Sequence, residues 1–409
     1  MSHGAGLEIA DVFRQHGAAY RVTHGATLLP EQRRVMRAIE ECRTAALGGH
    51  VSECESCGHR VISYNSCRNR HCPKCQSLAS AHWLTKQKTD LLPVDYFHVV
   101  FTVPEELAPL ALQNKRVVYD ILFAAASSTL LKIAADPQHL GAEIGFLAVL
   151  HTWGQNLLHH PHLHCVVPGG GLSPDGKQWV ACRTGFFLPV RVLSRLFRRL
   201  FLAELQRARE RGRLRFHASL AHLIEPRAFA HLVACVRGKE WVVYAKPPFG
   251  GPAQVLDYLG RYTHRVALSN DRLVKIEDGQ VTFRWKDYRR DCRPRTMTLA
   301  AAEFMRRFLM HVLPTGFQRI RQYGLLSNRK RAVKLAVCRR LLGVAQGEVE
   351  SKLPTADDQA EDEAVSGESL SRCPLCRRGR LHRVEVIAAV GVADGRGCRP
   401  RGCALLDTS

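Results

Sequence analysis

LLHHPHLHCVVPGGG, residues 157–171, is the stretch on which the reading of this chain turns. His162 and His164 flank one apolar residue, Leu163, and Val166 and Val167 follow before a run of glycines. Apolar alternation that ends in glycine predicts a strand running into a turn. Side chains alternate across a strand, so His162 and His164 share a face, roughly 7 Å apart at the Cα. Two imidazoles on one rigid face suit a divalent metal with coordination positions left open to a substrate oxygen. A histidine pair alone is equally compatible with surface or packing roles. Upstream, Gln155, His159 and His160 offer a third ligand, and the i−3 spacing of His159 to His162 favours His159.

About ninety-five residues on, the segment 255–266 has apolar residues at Val255, Leu259, Tyr262 and Val266, a helical spacing. Tyr258 and Tyr262 are then one turn apart, with Cβ atoms about 5–6 Å from each other. Arg261, His264 and Arg265 lie among them. Paired phenols flanked by cations suit nucleophilic attack on phosphates held by those cations. A phenol is weak at its ordinary pKa near 10, so a metal on His162 and His164 would be needed to polarise the phosphate.

The N-terminal hundred residues carry a different pattern. Residues 31–46 have helical spacing and stop at Gly48-Gly49. Cys54-Glu-Ser-Cys57 and Cys72-Pro-Lys-Cys75 are two C-x-x-C pairs at zinc-ribbon or treble-clef spacing, which predicts a structural zinc on Cys54, Cys57, Cys72 and Cys75. Cys42, His50, Cys67 and His71 remain, with the composition of a second zinc site; His71 has a supporting donor or phosphate contact as its alternative. Tyr64, Arg68 and Arg70 sit on the intervening loop, where the two arginines suit contact with nucleic acid. A cytidine-deaminase reading fails, because none of the twenty histidines begins the H-x-E that it requires.

The middle of the chain alternates strands (96–103, 144–153, 241–245, the last ended by Pro247-Pro248) with helices (113–135, 189–210, 225–236). This is an α+β domain with a mainly antiparallel sheet. Gly171 to Lys177 imitates the start of a phosphate loop, but Gln178 stands where Ser or Thr should bind magnesium, so a hairpin turn is expected and no ATPase. Further on come a strand at 281–290 and a helix at 299–312. The basic stretch 317–334 includes Arg319, Arg321 and Tyr323, cations and an aromatic suited to single-stranded DNA, with a solvated helix face as the alternative. Residues 347–371 are acidic and polar and read as a linker. Cys373-Pro-Leu-Cys376 is half a zinc knuckle that Cys398 and Cys403 complete only loosely.

The formal charge of +22 favours a polyanionic partner, although high arginine content also follows from GC-rich coding. No apolar run reads as a membrane span, and the first residues lack a signal-peptide layout, so a cytoplasmic protein is expected. Fifteen cysteines in such a chain argue for metal rather than disulfides. The domain borders expected are 1–92 (helical and zinc-binding), 93–335 (core), 336–371 (helix end and linker) and 372–409 (tail).

Taken together, CRTAALGGH (42–50), YNSCRNRHCPKCQ (64–76), HTWGQNLLHHPHLHCVVPGGG (151–171), YLGRYTHRVALSN (258–270), VTFRWKDYR (281–289) and EFMRRFLMHVLPTGFQRIRQYGLL (303–326) resemble the two-tyrosine HUH rolling-circle insertion-sequence transposases, the IS91-like family. The resemblance spans about residues 31–331. It implies an HUH-endonuclease-like antiparallel sheet behind an N-terminal zinc domain, and a Mg²⁺- or Mn²⁺-dependent nuclease that transfers one DNA strand through 5′-phosphotyrosine. By position, His162 and His164 match the metal histidines, and Tyr258 and Tyr262 match the paired nucleophiles. Eukaryotic relatives carry a helicase that this chain lacks, so a host helicase is implied. A replication initiator or relaxase using the same chemistry, a zinc-dependent DNA-binding regulator and an inactive copy are the rival readings. The residues leave monomer and homo-oligomer open.

Overall fold

A continuous apolar run followed by the histidine segment folds back on itself as a hairpin, and its two strands lie inside the five-stranded sheet of the larger unit. The computed structural model describes residues 6–75, 83–84, 87–88, 90–249, 254–255, 260, 267–287, 293–329, 331–344 and 372–390. Two units are formed, each from separate stretches of chain: Met1–Glu40 with Arg68–Thr355, and Glu41–Cys67 with Ala356–Ser409.

In chain order the described strands are β1 (Gly49–Cys54), β2 (Arg60–Tyr64), β3 (Tyr96–Thr102), β4 (Gly145–Trp153), β5 (His159–Pro168), β6 (Gly170–Leu172), β7 (Trp179–Ala181), β8 (Val243–Phe249), β9 (Leu273–Glu277), β10 (Gln280–Asp287), β11 (Arg293–Ala300), β12 (Ile320–Gly324) and β13 (Leu381–Ile387). The helices are α1 (Ile9–His24), α2 (Pro30–Glu41), α3 (Ala108–Gln113), α4 (Lys115–Ala135), α5 (Val190–Glu210), α6 (Pro226–Gly238), α7 (Ala301–Met310) and α8 (Arg331–Leu341). The fold is mixed α+β with antiparallel sheets, as the strand and helix signals predict.

The larger unit is built on a five-stranded antiparallel sheet ordered β12-β4-β5-β3-β8. Alternation decides its two faces. Phe97, Val99 and Phe101 of β3, Phe146, Ala148 and Leu150 of β4, and Leu163, Cys165 and Val167 of β5 join one core with α4, α5 and α6. Phe101, Phe197, Phe201 and Trp241 meet there edge to face, with centroids 5.0–5.3 Å apart in three of their contacts. Burying each such side chain contributes roughly 1.5–3 kcal/mol, so this packing fixes the register. A slip by one residue would bring the histidines into the core.

Helix α4 is long and apolar enough to cross a membrane by length and composition. Its Val118, Tyr119, Leu122, Phe123, Ala126 and Leu130 are buried in the core, and this packing accounts for its apolarity. Strand β8 runs through Pro247-Pro248, where the sequence predicts an end. It lies at the sheet edge, where a residue without an N–H is tolerated, and the pairing with β3 shifts register between Tyr96 and His98. The phosphate-loop imitation is a hairpin: β6 and β7 pair through Gly170↔Ala181 and Leu172↔Trp179. A second sheet, β11-β10-β9, is covered by α7 through Phe283 and Phe304.

The smaller unit contains the sheet β13-β1-β2. One strand therefore comes from the far end of the chain, and the sequential borders expected from composition give way to discontinuous units.

Candidate functional site

On the sheet face opposite α4–α6, the residues that alternate away from the core are His98 on β3, His151 on β4, and His162 and His164 on β5. The register sets His151 directly across from His162, and His164 across from Val149 and Val100. The imidazoles of His151, His162 and His164 each bring a nitrogen within 4.8 Å of the other two. His151 and His164 are buried and His162 is partly exposed, so the group opens on the His162 side. Trp153 stacks on the His151 ring with centroids 4.6 Å apart.

Hydrogen bonds set the tautomers. His162 donates Nδ1–H to the His160 carbonyl at 2.7 Å, and His164 Nδ1 lies 2.8 Å from His98 Nε2. Both rings thereby have Nε2 to offer a metal. Burial holds the rings in the neutral, ligating form: His162 is lowered to about 4, and His164 well below its usual value, with neighbouring charges on His151 and His162 adding to desolvation. Three imidazoles around one opening fit a divalent ion that keeps positions for substrate.

The histidine that gathers with His162 and His164 is His151, where the sequence favours His159. His159 accepts from the Tyr119 hydroxyl at 2.8 Å, while its Nδ1 is 3.1 Å from the Ala108 carbonyl. Both its nitrogens are engaged within the fold, and His151 stands with His162 and His164 instead. A ligand one strand back is visible in sequence only after the hairpin is registered about its Gly154–Leu158 turn.

Tyr258, Tyr262, Arg261 and Arg265 lie outside the described residues. The described residues beside them do have places: Val255 is buried among Tyr96, Leu147, Val149 and Val166, a cluster on the histidine face of the sheet. Gly260 sits so close to Leu84 that an added Cβ would be 2.7 Å from its Cδ1, and Leu84 packs against that same cluster. Lys246 of β8, exposed, lies across from His98 and depresses the pKa of both His98 and His164. Sequence reasoning passed over it, as it did His98.

Several basic and aromatic residues expected at DNA are engaged within the protein. Arg70 donates to the carbonyls of Phe317 and, at 2.8 Å, Pro314. Arg321 pairs with Asp120 at 2.6 Å and lies over the rings of Phe123 and Phe317 at 4.0 and 5.1 Å. Tyr323 stacks on Phe146 at 5.2 Å, and burial lowers Arg319 to about 10. Arg68 is exposed.

The cysteines also regroup. Cys54 and Cys57 gather with Cys373 and Cys376, not with Cys72 and Cys75 as expected. His50 lies within β1 paired with Ser63 and Val386, outside the described thiol groups. His71 is buried, accepts the Leu313 amide at 3.1 Å and has Asn69 Oδ1 3.3 Å from Nδ1, so it too serves the fold.

A three-histidine opening on an antiparallel sheet, in a chain that also carries a cysteine-rich small unit, defines a protein of the DNA-transposase class once its likenesses are added. Residues 145–333 match the family described as Putative transposase, and residues 12–103 match Transposase zinc-binding domain. The chain is 60% identical, over 94% of its length and 97% of the relative's, to "Putative transposase y4qJ" of Sinorhizobium fredii (strain NBRC 101917 / NGR234). It is 30% identical, over 70% of its length and 68% of the relative's, to "Transposase for insertion sequence element IS801" of Pseudomonas savastanoi pv. phaseolicola. The chain belongs to the IS91-like family of insertion-sequence transposases. No solved structure matches it.

Proposed function

We propose that this transposase nicks and rejoins single-stranded DNA at the ends of its element through 5′-phosphotyrosine on Tyr258 and Tyr262, moving one strand by rolling-circle transfer. The observation that carries the reading is the open group of His151, His162 and His164 on the sheet face against which Val255 also packs, with Gly260 against Leu84 at the same cluster. Those two residues bracket Tyr258 in sequence and precede Tyr262. Mg²⁺ or Mn²⁺ bound by the three imidazoles supplies polarisation of a non-bridging phosphate oxygen. His160 and His98 orient His162 and His164; Lys246, Arg261 and Arg265 offer positive charge to the phosphates. The tyrosine oxygen bonds to phosphorus as the bond to the 3′ oxygen breaks, and that oxygen leaves with the electron pair and takes up a proton. A free 3′ hydroxyl then attacks the phosphotyrosine and restores the phenol, so strand transfer needs no ATP. Separation of the strands falls to a host helicase, and the setting is the bacterial cytoplasm.

The test is cleavage of labelled single-stranded oligonucleotides from the element's ends, with Mg²⁺ or with EDTA. The proteins compared are wild type, Tyr258→Phe, Tyr262→Phe and the double variant. A metal-dependent covalent adduct with a free 3′ hydroxyl, absent from the double variant, is expected. Adduct that persists in the double variant overturns the assignment of the tyrosines. DNA binding without adduct on any end sequence supports the regulator reading instead.

A further inference from the structure

The smaller unit brings together two C-x-x-C turns separated by more than three hundred residues. Cys54 Sγ lies 3.7 Å from Cys376 Sγ, and Cys57 Sγ lies 3.6 Å from Cys373 Sγ, with all four sulfurs within 4.8 Å of one another. Zinc–thiolate bonds of about 2.3 Å in a tetrahedron put sulfurs about 3.8 Å apart, whereas a disulfide needs about 2.05 Å. The two turns are built alike. Cys54 accepts from the Gly58 amide and Cys373 from the Arg377 amide through their carbonyls, and the residue after each second cysteine, Gly58 or Arg377, has φ of +67° or +58°. The Gly379 amide points at Cys376 Sγ at 3.4 Å, the kind of N–H donation that stabilises a thiolate. Gly379 itself passes so close that a Cβ there would be 2.5 Å from Cys54 Sγ, and only glycine permits that approach.

We infer that Cys54, Cys57, Cys373 and Cys376 bind one structural zinc, which clasps the C-terminal strand of the chain to its N-terminal zinc domain. All four positions are filled by thiolates, so the ion has no place for substrate and serves the fold. Its neighbours agree with that role. Strand β13 pairs with β1 from Gly49↔Ile387 to Cys54↔Leu381, and Glu55 and Arg380 exchange hydrogen bonds of 3.1 and 3.0 Å beside the thiols. The zinc-binding match ends at residue 103, so half of this site lies beyond it. The tail is then part of the zinc domain, and its CxxC is completed by Cys54 and Cys57 in place of the expected Cys398 and Cys403, which lie outside the described residues. This inference stands apart from the strand-transfer chemistry.

The test is zinc content of the purified full chain by plasma mass spectrometry under reducing conditions. Wild type is compared with Cys54→Ser/Cys57→Ser, Cys373→Ser/Cys376→Ser and the quadruple variant. Each pair is expected to lose the same one equivalent, and the quadruple no more than either. Unchanged zinc in the Cys373→Ser/Cys376→Ser protein, or losses that add in the quadruple, overturns the site. Wild-type chain offers a second measurement that needs no variant to fold. Its four thiols are expected to resist alkylation together and to become reactive together when a strong chelator is added. Cys373 and Cys376 alkylated in the zinc-loaded protein, or found as disulfides with Cys57 and Cys54, would refute it.

Discussion

Acid should loosen the histidine-bearing hairpin from behind, through His311. This ring is buried between the hairpin and the end of α7: its Nε2–H donates to the Leu157 carbonyl at 3.0 Å, and its Nδ1 accepts from the Thr152 hydroxyl at 3.1 Å. Leu157 has φ of +62° in the turn that joins β4 to β5, so the histidine fastens that turn. Burial lowers its pKa to about 3, and positive charge on His159, Lys115 and His71, the titratable groups around it, adds to the effect. Lys115 is itself lowered by burial, to about 8, and is still charged in mild acid. The folded pKa lies below the unfolded value near 6.5, so the stabilisation is complete above 6.5 and is lost as pH falls from there toward 3. At about pH 5 the unfolded ring is one and a half units below its pKa, while the folded ring is still neutral. At 1.36 kcal/mol per unit the loss is about 2 kcal/mol from this one group. That is a sizeable share of a typical domain stability of roughly 5–15 kcal/mol. Urea unfolding of wild type and His311→Gln, followed by tryptophan fluorescence at neutral pH and at about pH 5, measures it, since glutamine keeps a donor for Leu157 and does not titrate. The wild type should lose about 2 kcal/mol more than the variant between the two conditions. Parallel losses in the two proteins would show that the ring does not stay neutral for the reason given.

Replacing His98 by Ala removes the partner that fixes the His164 ring at 2.8 Å, and Mn²⁺ affinity by calorimetry should fall about 10–100-fold, with partial recovery in His98→Gln; unchanged affinity rules out the positioning role. Gly324→Ala puts a Cβ against the Ile144 carbonyl oxygen at φ of +60°, and strain plus overlap should cost about 2–4 kcal/mol in urea unfolding; a neutral result would mean that β12 does not bind β4 in this register. Arg321→Met keeps the stem but removes a partly exposed ion pair with Asp120 and the ring contacts with Phe123 and Phe317, a loss of about 1–2 kcal/mol in stability; DNA affinity lost without any loss of stability would return this arginine to the DNA surface. A brief EDTA treatment should abolish cleavage and leave thiolate-bound zinc in place, with activity restored by Mg²⁺ or Mn²⁺ alone; a requirement for added zinc would contradict the separation of the two sites.

What the sequence shows of this molecule is what depends on local spacing. The H-x-H pair is legible because strand alternation alone puts His162 and His164 on one face. The strands at 96–102 and 145–153 and the helices at 115–135, 190–210 and 226–238 are legible from local periodicity in the same way. His151 is hidden because its place depends on a register across the Gly154–Leu158 turn, and His98 because it comes from a third strand. His159 misleads: its spacing to His162 is apt, but Tyr119 and Ala108, on α4 and at the start of α3, take both its nitrogens. The cysteines mislead in a related way. Two C-x-x-C pairs close in sequence look like one site, yet a turn supplies only two ligands, and any other C-x-x-C in the chain is an equal candidate to complete it. Arg70, Arg319 and Arg321 read as a basic DNA surface because charge is visible in sequence and burial is not.

The two metal-binding arrangements differ in a way that follows from their backbones. The thiol site is assembled from turns, and turns converge from all sides, so four ligands close a tetrahedron and exclude substrate. The histidine site is assembled on a sheet, whose side chains project from one surface, and β3, β4 and β5 leave the opposite hemisphere of the ion to whatever covers that face. Val255 is buried in the cluster on that face, and Gly260 lies against Leu84, which packs on the same cluster. An ion held from one side only would keep open positions for a substrate oxygen, as the proposed strand transfer requires. The helices behind the sheet contribute indirectly: by filling the opposite face with Phe101, Phe146, Leu150 and Leu163, they fix the register that keeps all three imidazoles turned outward.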